Sequence, residues 1–563
     1  MKEIFEKLWG GLKSVVIPQR KGDIQVKCVN AMNIYELYEN KNDVNVLNND
    51  TIVSIESTTS GKIEYQSNIS KWLNKLSFKN AFFQREKQVI AEIDQLEGEE
   101  MIVSTLLDTL IGYAVNVTGS VYTFVFMLIL LIGWIIWGGV TGAPDVWQIV
   151  MQDGQSIQTY VWDTFLMRQQ MDDNEKFLIF IGKIKSRAST HKNLLKHIVN
   201  HDLTYNELNL SLEDDLNQNN FNIDEYIKFE NKTLFEKACD IVSKIVGSLP
   251  AVVIYWSGIF VWIGCGDLLI NNGTASEPDF QKFSNDWQMY INTATAIVLL
   301  FTSVFLENVR ARTNGYIIKQ MQLFNKFDSQ LEYEERKLTG YYNEDNETIF
   351  VSRCPRDKIQ TCISVYSVIV GNGLGLIIST CVFIIWFSIG NLMHWNSNWW
   401  LVIGTYTGLV GFIDGFVLRE VYFSITNYEM KKFEELLAES RELLSLIGIE
   451  IDPYKPQRKK GLTVKISLWI NLVCSNEYSV LFSVAVVIGL VIFASALLWS
   501  ETAQLVCNTP TMIIEGFFLL ILIQAQDWAS EDRIGILTEL ARSRVLLKKY
   551  INQMQPRETV KQK

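Results

Sequence analysis

The chain has 563 residues, with 51 Lys+Arg against 62 Asp+Glu, a net charge of −11 and only 20% charged residues. That charged share lies below the roughly 25% usual in globular chains, and long uncharged runs alternate with charged ones, which excludes a disordered chain and argues against an ordinary soluble enzyme. An acidic total argues against nucleic-acid binding, which needs a basic face.

Four His and eight scattered Cys without a CxxC offer neither a disulfide framework nor a thiolate zinc site. No Walker A, GxSxG or GxGxxG motif sits in a strand–helix context, so no catalytic constellation supports an enzyme. The first residues, MKEIFEKLWGGLKS, lack the apolar core of a signal peptide.

About 20 apolar helical residues cross a bilayer core of roughly 30 Å. Uncharged runs at 109–144, 245–265, 287–306, 359–413 (long enough for two spans) and 478–500, with an apolar window at 504–526 broken by Glu515, predict seven spans. An eighth is too polar for hydropathy, because Asp153 and Asp163 interrupt 147–167, but internal repetition points to it. Aligning Trp147, Trp287, Trp399 and Ala503 superposes four segments, with Thr293, Thr405 and Thr509 in one column and Thr295, Thr407 and Thr511 in another. Each first helix follows a similar break: NVTGS, KIVGS, VIVGN or LVCSN.

The expected fold is an all-α polytopic membrane protein. It has eight transmembrane helices arranged as four repeated parallel hairpins, each preceded by an amphipathic helix. The reading divides the chain into a cytosolic N-terminal region (1–105), hairpins at 106–168, 236–308, 359–420 and 464–526, helical cytosolic connections at 169–235, 309–358 and 421–463, and a cytosolic C-terminal helix (527–563). Fifty of the 51 Lys and Arg fall on the side of the termini and long connections, Lys282 being the exception. The positive-inside rule places that side in the cytosol.

Counted from the aligned column, positions +1, +5, +8, +12 and +15 share one helical face. That face holds Gln148, Gln152, Gln155, Thr159 and Trp162 in the first repeat, Gln288, Asn292, Thr295, Leu299 and Thr302 in the second, Trp400, Gly404, Thr407, Gly411 and Asp414 in the third, and Gln504, Asn508, Thr511, Glu515 and Phe518 in the fourth, with Asp163, Ser303 and Gly415 one position beyond. A carboxylate in hydrocarbon costs about 3 kcal/mol unless it faces protein or water. Four such faces could share one pathway, where amide and hydroxyl oxygens replace a cation's hydration shell and carboxylates supply charge. The other reading is helix–helix hydrogen bonding. The pathway candidates are Asp163, Asp414, Glu515, Gln152, Gln155, Asn292, Thr295, Thr407, Asn508 and Thr511. The external turns hold Asp145, Asp267, Glu277, Asp279, Asp286 and Glu501, an acidic mouth that concentrates cations. On the cytosolic side, His191, His197 and His201 form a candidate metal cluster, with an exposed polar helix face as the alternative.

The stretch FSNDWQMYINTATAIVLLFTSVFLENVRAR (283–312) resembles the signature of the low-affinity iron permease family. The motif residues carried over are Trp287, Gln288, Asn292, Thr293 and Thr295, and Glu307 stands where a second amide is expected. The whole chain resembles the fungal low-affinity iron(II) transporters of the plasma membrane. The resemblance implies uptake of Fe²⁺, with Zn²⁺, Cu and Mn²⁺ as further substrates. It calls for no cofactor and for no partner but the bilayer and the ions. The oligomeric state is open, a homo-oligomer included. A poorly selective cation channel and a membrane metal sensor or scaffold remain alternatives.

Overall fold

The computed structural model describes residues 23–33, 106–200, 231–267, 280–452 and 462–554, with isolated positions within 223–229 and the pair 270–271. Strand β1 (Ile24–Val26) comes first, and helices then follow in trios. The first trio is α1 (Leu106–Thr118), α2 (Val121–Thr141) and α3 (Asp145–Asn200); the second is α4 (Leu234–Val246), α5 (Leu249–Cys265) and α6 (Asn285–Thr339), with β2 (Ile270–Asn271) and β3 (Phe280–Gln281) between α5 and α6. Strand β4 (Ile349–Val351) precedes the third trio, α7 (Lys358–Val370), α8 (Gly373–Gly390) and α9 (Ser397–Ser445). The fourth is α10 (Leu462–Cys474), α11 (Glu477–Ala496) and α12 (Glu501–Met554).

The chain is mostly helical; the exceptions among the described residues to an all-α chain are the antiparallel pairs β1–β4 and β2–β3. Gly182 of α3 makes room for the first of these, because a Cβ there would lie 2.8 Å from Val26. Five helices (α2, α6, α9, α11, α12) are long and apolar enough to cross a membrane. The pairs α4–α5 and α7–α8, bent by 50° and 63°, raise the number to seven if each is one span. Helix α3 does not pass on hydropathy.

The breaks inside the trios come from capping chemistry. A short polar side chain at the break satisfies the first free N–H groups of the next helix. Ser120 accepts from the Thr123 amide at 3.2 Å, Ser248 from Ala251 at 3.3 Å and Asn476 from Tyr478 at 3.0 Å. At the other end, tryptophans close the turn into the long helix. Trp262 stacks on Trp287 at 3.9 Å, and each indole N–H donates to the other's backbone carbonyl at 3.0 Å. Trp386 and Trp399 repeat this at 4.2 Å. Trp147 stacks on Trp134 and donates to its carbonyl.

The third helices are 56, 55, 49 and 54 residues long. At 1.5 Å per residue each runs about 75–85 Å, more than twice a bilayer core. They run without interruption from the apolar segment through the charged one, so 168, 308, 420 and 526 are not helix ends. Residues at like distances from the helix starts touch one another, as in Gln152–Thr293, Asp173–Asn314 and Glu429–Arg533, so the four helices are parallel. Both α3 and α12 pack on α6 and on α9, which sets the order α3–α6–α12–α9 around a ring.

Each break leans on the next long helix of that ring. Asn308 of α6 donates to the Gly119 carbonyl at 3.2 Å, and a Cβ at Gly247 would lie 2.9 Å from the Gln524 nitrogen of α12. Arg168 of α3 donates to Asn372 at 2.7 Å, and Arg419 of α9 to Asn471 at 3.0 Å. The outer helices α2 and α11 bury only 17% of their apolar windows, against 61–78% for α6, α9 and α12, so the long helices form the core and the others surround it. One apolar cluster fills the bundle around Leu166, Leu306, Leu418 and Leu522; two more, around Phe177 and Phe324 and around Leu195 and Leu547, fill its charged-side extension.

Candidate functional site

The polar faces of the four long helices turn inward and are buried. Near the N-terminal ends of the long helices, Gln152 donates to Thr293 at 3.0 Å, and the single Thr293 hydroxyl proton is shared between its own helix carbonyl, Met289, at 2.9 Å and Gln148 Oε1 at 3.2 Å. These tie α3 to α6 at the motif residues. Gln288 is buried beside them. Trp287 serves the turn through its stack on Trp262.

One level down lie Gln155, Thr295, Thr407 and Thr511, one from each long helix, all buried. The three threonines give their hydroxyl protons to carbonyls of their own helices, Ile291 at 2.8 Å, Ile403 at 2.8 Å and Asn508 at 2.8 Å. That leaves oxygen lone pairs, not protons, for a guest. Gln155 donates to Thr159 at 2.8 Å and leaves its Oε1 without a donor.

Below them are the carboxyls. Asp163, Asp414 and Glu515 are buried and near enough that their charges act on one another. Tyr366 of α7 donates to Asp414 Oδ1 at 2.6 Å, while Oδ2 has no partner. Helix α9 faces these groups with glycines. A Cβ at Gly404 would lie 3.0 Å from Asp153, at Gly408 2.5 Å from Asn508 and at Gly411 3.4 Å from Glu515.

Seven buried residues of this region each leave an oxygen without a hydrogen-bond partner: Asp153, Gln155, Asp163, Asn292, Asp414, Asn508 and Glu515. An unpaired buried acceptor costs about 1–3 kcal/mol, so native chains keep few. These seven oxygens come from four helices, and acceptors of this kind are ones a cation could use. Among the described residues no group of three His, Cys, Asp or Glu side chains is placed to hold a metal ion.

The other candidates are placed as follows. Asp145 is exposed, and its charge acts on the half-buried Asp286. Asp267 is exposed and pairs with Lys282 at 2.6 Å. Glu277, Asp279 and the Glu501 side chain lie outside the described residues. His191 is fully buried, with Nδ1 2.6 Å from Glu335 and Nε2 3.2 Å from Asp328. Burial alone would lower its pKa, but the Glu335 and Asp328 carboxylates outweigh it and hold the imidazole at about 9. His197 is exposed against the Tyr341 ring at 4.6 Å, and His201 lies outside the described residues. Asp153 and Tyr366 were not among the candidates from sequence. Asp153 had a signal, since it occupies the column of Thr293, Thr405 and Thr509.

The pattern described as low affinity iron permease matches residues 359–453 and 463–555. The low-affinity Fe(2+) transport protein of Saccharomyces cerevisiae is 40% identical over 471 residues, covering 80% of this chain and 84% of that protein. The chain belongs to the low-affinity iron permease family. A second member, the low-affinity iron/zinc ion transport protein of Schizosaccharomyces pombe, is 43% identical over 420 residues, covering 74% of this chain and 68% of that protein. No solved structure matches. The permease pattern takes in the third and fourth trios, and so Thr407, Asp414, Asn508, Thr511 and Glu515.

Proposed function

We propose that this permease is a low-affinity uptake transporter for Fe²⁺ in the plasma membrane, with Zn²⁺, Cu and Mn²⁺ as further substrates, and that the ion moves along the axis between α3, α6, α9 and α12. The relatives' names supply iron and zinc. The observation that carries the pathway is the set of unpartnered oxygens at Asp153, Gln155, Asp163, Asn292, Asp414, Asn508 and Glu515. Amide and hydroxyl oxygens with single carboxylates bind a divalent ion weakly and release it fast, whereas thiolate cages would retain zinc or copper. An inside-negative potential favours inward flow by about 2.3 kcal/mol per charge per 100 mV, and the concentration gradient adds to it, so no ATPase motif is required.

The membrane arrangement that goes with this is eight spans in four parallel hairpins. The outer ends lie at the tryptophan pairs, and the termini and charged extensions lie in the cytosol. Support comes from the repeated break contacts, which step once round the ring for each trio. Helix α3 then spans as a ring member whose polar residues face protein.

Purified protein in liposomes with an inside-negative potential should admit Fe²⁺ saturably and in step with the potential. Asp414→Asn and Glu515→Gln should raise the apparent KM about tenfold or abolish flux, on the scale of one lost charged ligand. Unchanged flux in both would remove the axis from the pathway. Free K⁺ conductance would make the protein an unselective channel, and no flux in a folded preparation would favour a sensor or scaffold.

A further inference from the structure

The polar face of the long helices stops at one level. At +19 from the aligned column all four helices carry leucine: Leu166, Leu306, Leu418 and Leu522. That step continues the face running through +8, +12 and +15/+16, so the leucines sit directly beyond Asp163, Asp414 and Glu515. All four are buried in one apolar cluster, with Phe305, Phe416 and Phe518 packed around them. Immediately beyond them Arg310 of α6 is buried, donates to the Leu166 carbonyl at 3.1 Å and stacks over the Tyr422 ring at 5.3 Å. Its Nε and Nη2 have no hydrogen-bond partner, and because an arginine side chain stays protonated in proteins a positive charge lies next to the leucine layer.

From this sequence of layers we infer that the four leucines form the closed cytosolic gate of the pathway, a dry ring backed by the fixed positive charge of Arg310. The inference rests on the axial pathway proposed above. A ring of aliphatic side chains excludes water, and an ion that cannot keep or replace its hydration shell does not pass. The oxygen ligands above the ring then face a dead end in this conformation. Transport requires the long helices to part at the leucine level.

The test compares ion leak in liposomes. The double variant Leu306→Ser/Leu418→Ser, whose positions lie across the ring, should conduct K⁺ several-fold faster than the unmodified protein under the same potential. The volume-conserving Leu306→Met/Leu418→Met should leak no more than the unmodified protein. If the serine pair does not give folded protein, the four single Leu→Ala variants carry the same test, each widening the ring by one side chain. Serine and alanine variants that fold and hold K⁺ as tightly as the unmodified protein would overturn the gate, as would an unmodified protein that already conducts K⁺ freely. Asp414→Asn and Glu515→Gln are run in the same vesicles. Loss of Fe²⁺ flux in these two, with tight leucine variants, rejects the gate and keeps the pathway. Undiminished Fe²⁺ flux in these two rejects the pathway itself.

Discussion

Glycines define how much room the carboxyl region has. Gly408 has no side chain where Asn508 Oδ1 needs the space, since a Cβ there would lie 2.5 Å from it. Gly408→Val should therefore cut the initial rate of Fe²⁺ uptake by at least about tenfold and destabilise the protein by about 1–3 kcal/mol, the usual cost of overpacking. Gly154→Ala, in open space inside the neighbouring helix, should leave the uptake rate unchanged and raise stability slightly, by about 0.5–1 kcal/mol of helix propensity. Vesicle flux and thermal unfolding in detergent measure the two effects. At this scale the sequence already displayed the buried polar face, because a four-residue and three-residue rhythm of Gln, Asn and Thr in an apolar run marks one side of a helix for burial against protein. It did not display Tyr366. That residue reaches Asp414 from a different helix, 48 positions away, and no local spacing records such a contact.

Among the elements, the break between lead helix and span decides how the trios dock. Gly247 sits against the backbone of Gln524, which cannot yield as a side chain can. Gly247→Leu should lower the midpoint of thermal unfolding, by about 1–3 kcal/mol of stability. Gly258→Leu, eleven residues on and with nothing within 4 Å, should change it little. The breaks were legible because Gly-Ser, Gly-Asn and Ser-Asn pairs are capping signals. The long helices were not legible as single elements. Their composition changes from apolar to charged near 168, 308, 420 and 526, which reads as a boundary, yet no proline, glycine or cap stands there to stop a helix. Composition reports the solvent around a segment; only stop signals report its end. The pairing of β1 with β4 joins residues more than 300 positions apart and lay beyond any sequence pattern.

For the whole molecule, the charged-side half of the bundle is bolted together by buried ions. His191 and Arg187 of α3 meet Asp328, Glu332 and Glu335 of α6, and Arg544 of α12 joins at Asp328 at 2.6 Å. The N-terminal segment closes over them through the Ala31 amide on Glu332. The folded-state pKa of His191, about 9, lies above its ordinary value of 6.5. Its contribution to stability is thus complete below about pH 6.5 and fades as pH rises through about 9. Thermal unfolding of the full chain in detergent should show that decline, and His191→Gln should flatten it. A slope that persists unchanged in the variant would assign it to another group.

The meeting of Asp163, Asp414 and Glu515 has a consequence for biosynthesis. About 350 residues separate the first of these carboxyls from the last. At ribosomal speeds of about 5–20 residues per second, α3, on the eight-span arrangement proposed above, waits roughly 20–70 s in the bilayer before α12 exists to complete the ring. Throughout that interval its glutamines and aspartates face lipid or water where the finished protein has helices. The nascent chain therefore needs an insertion machinery, or an attendant chaperone, that tolerates a polar helix held open until the last trio arrives.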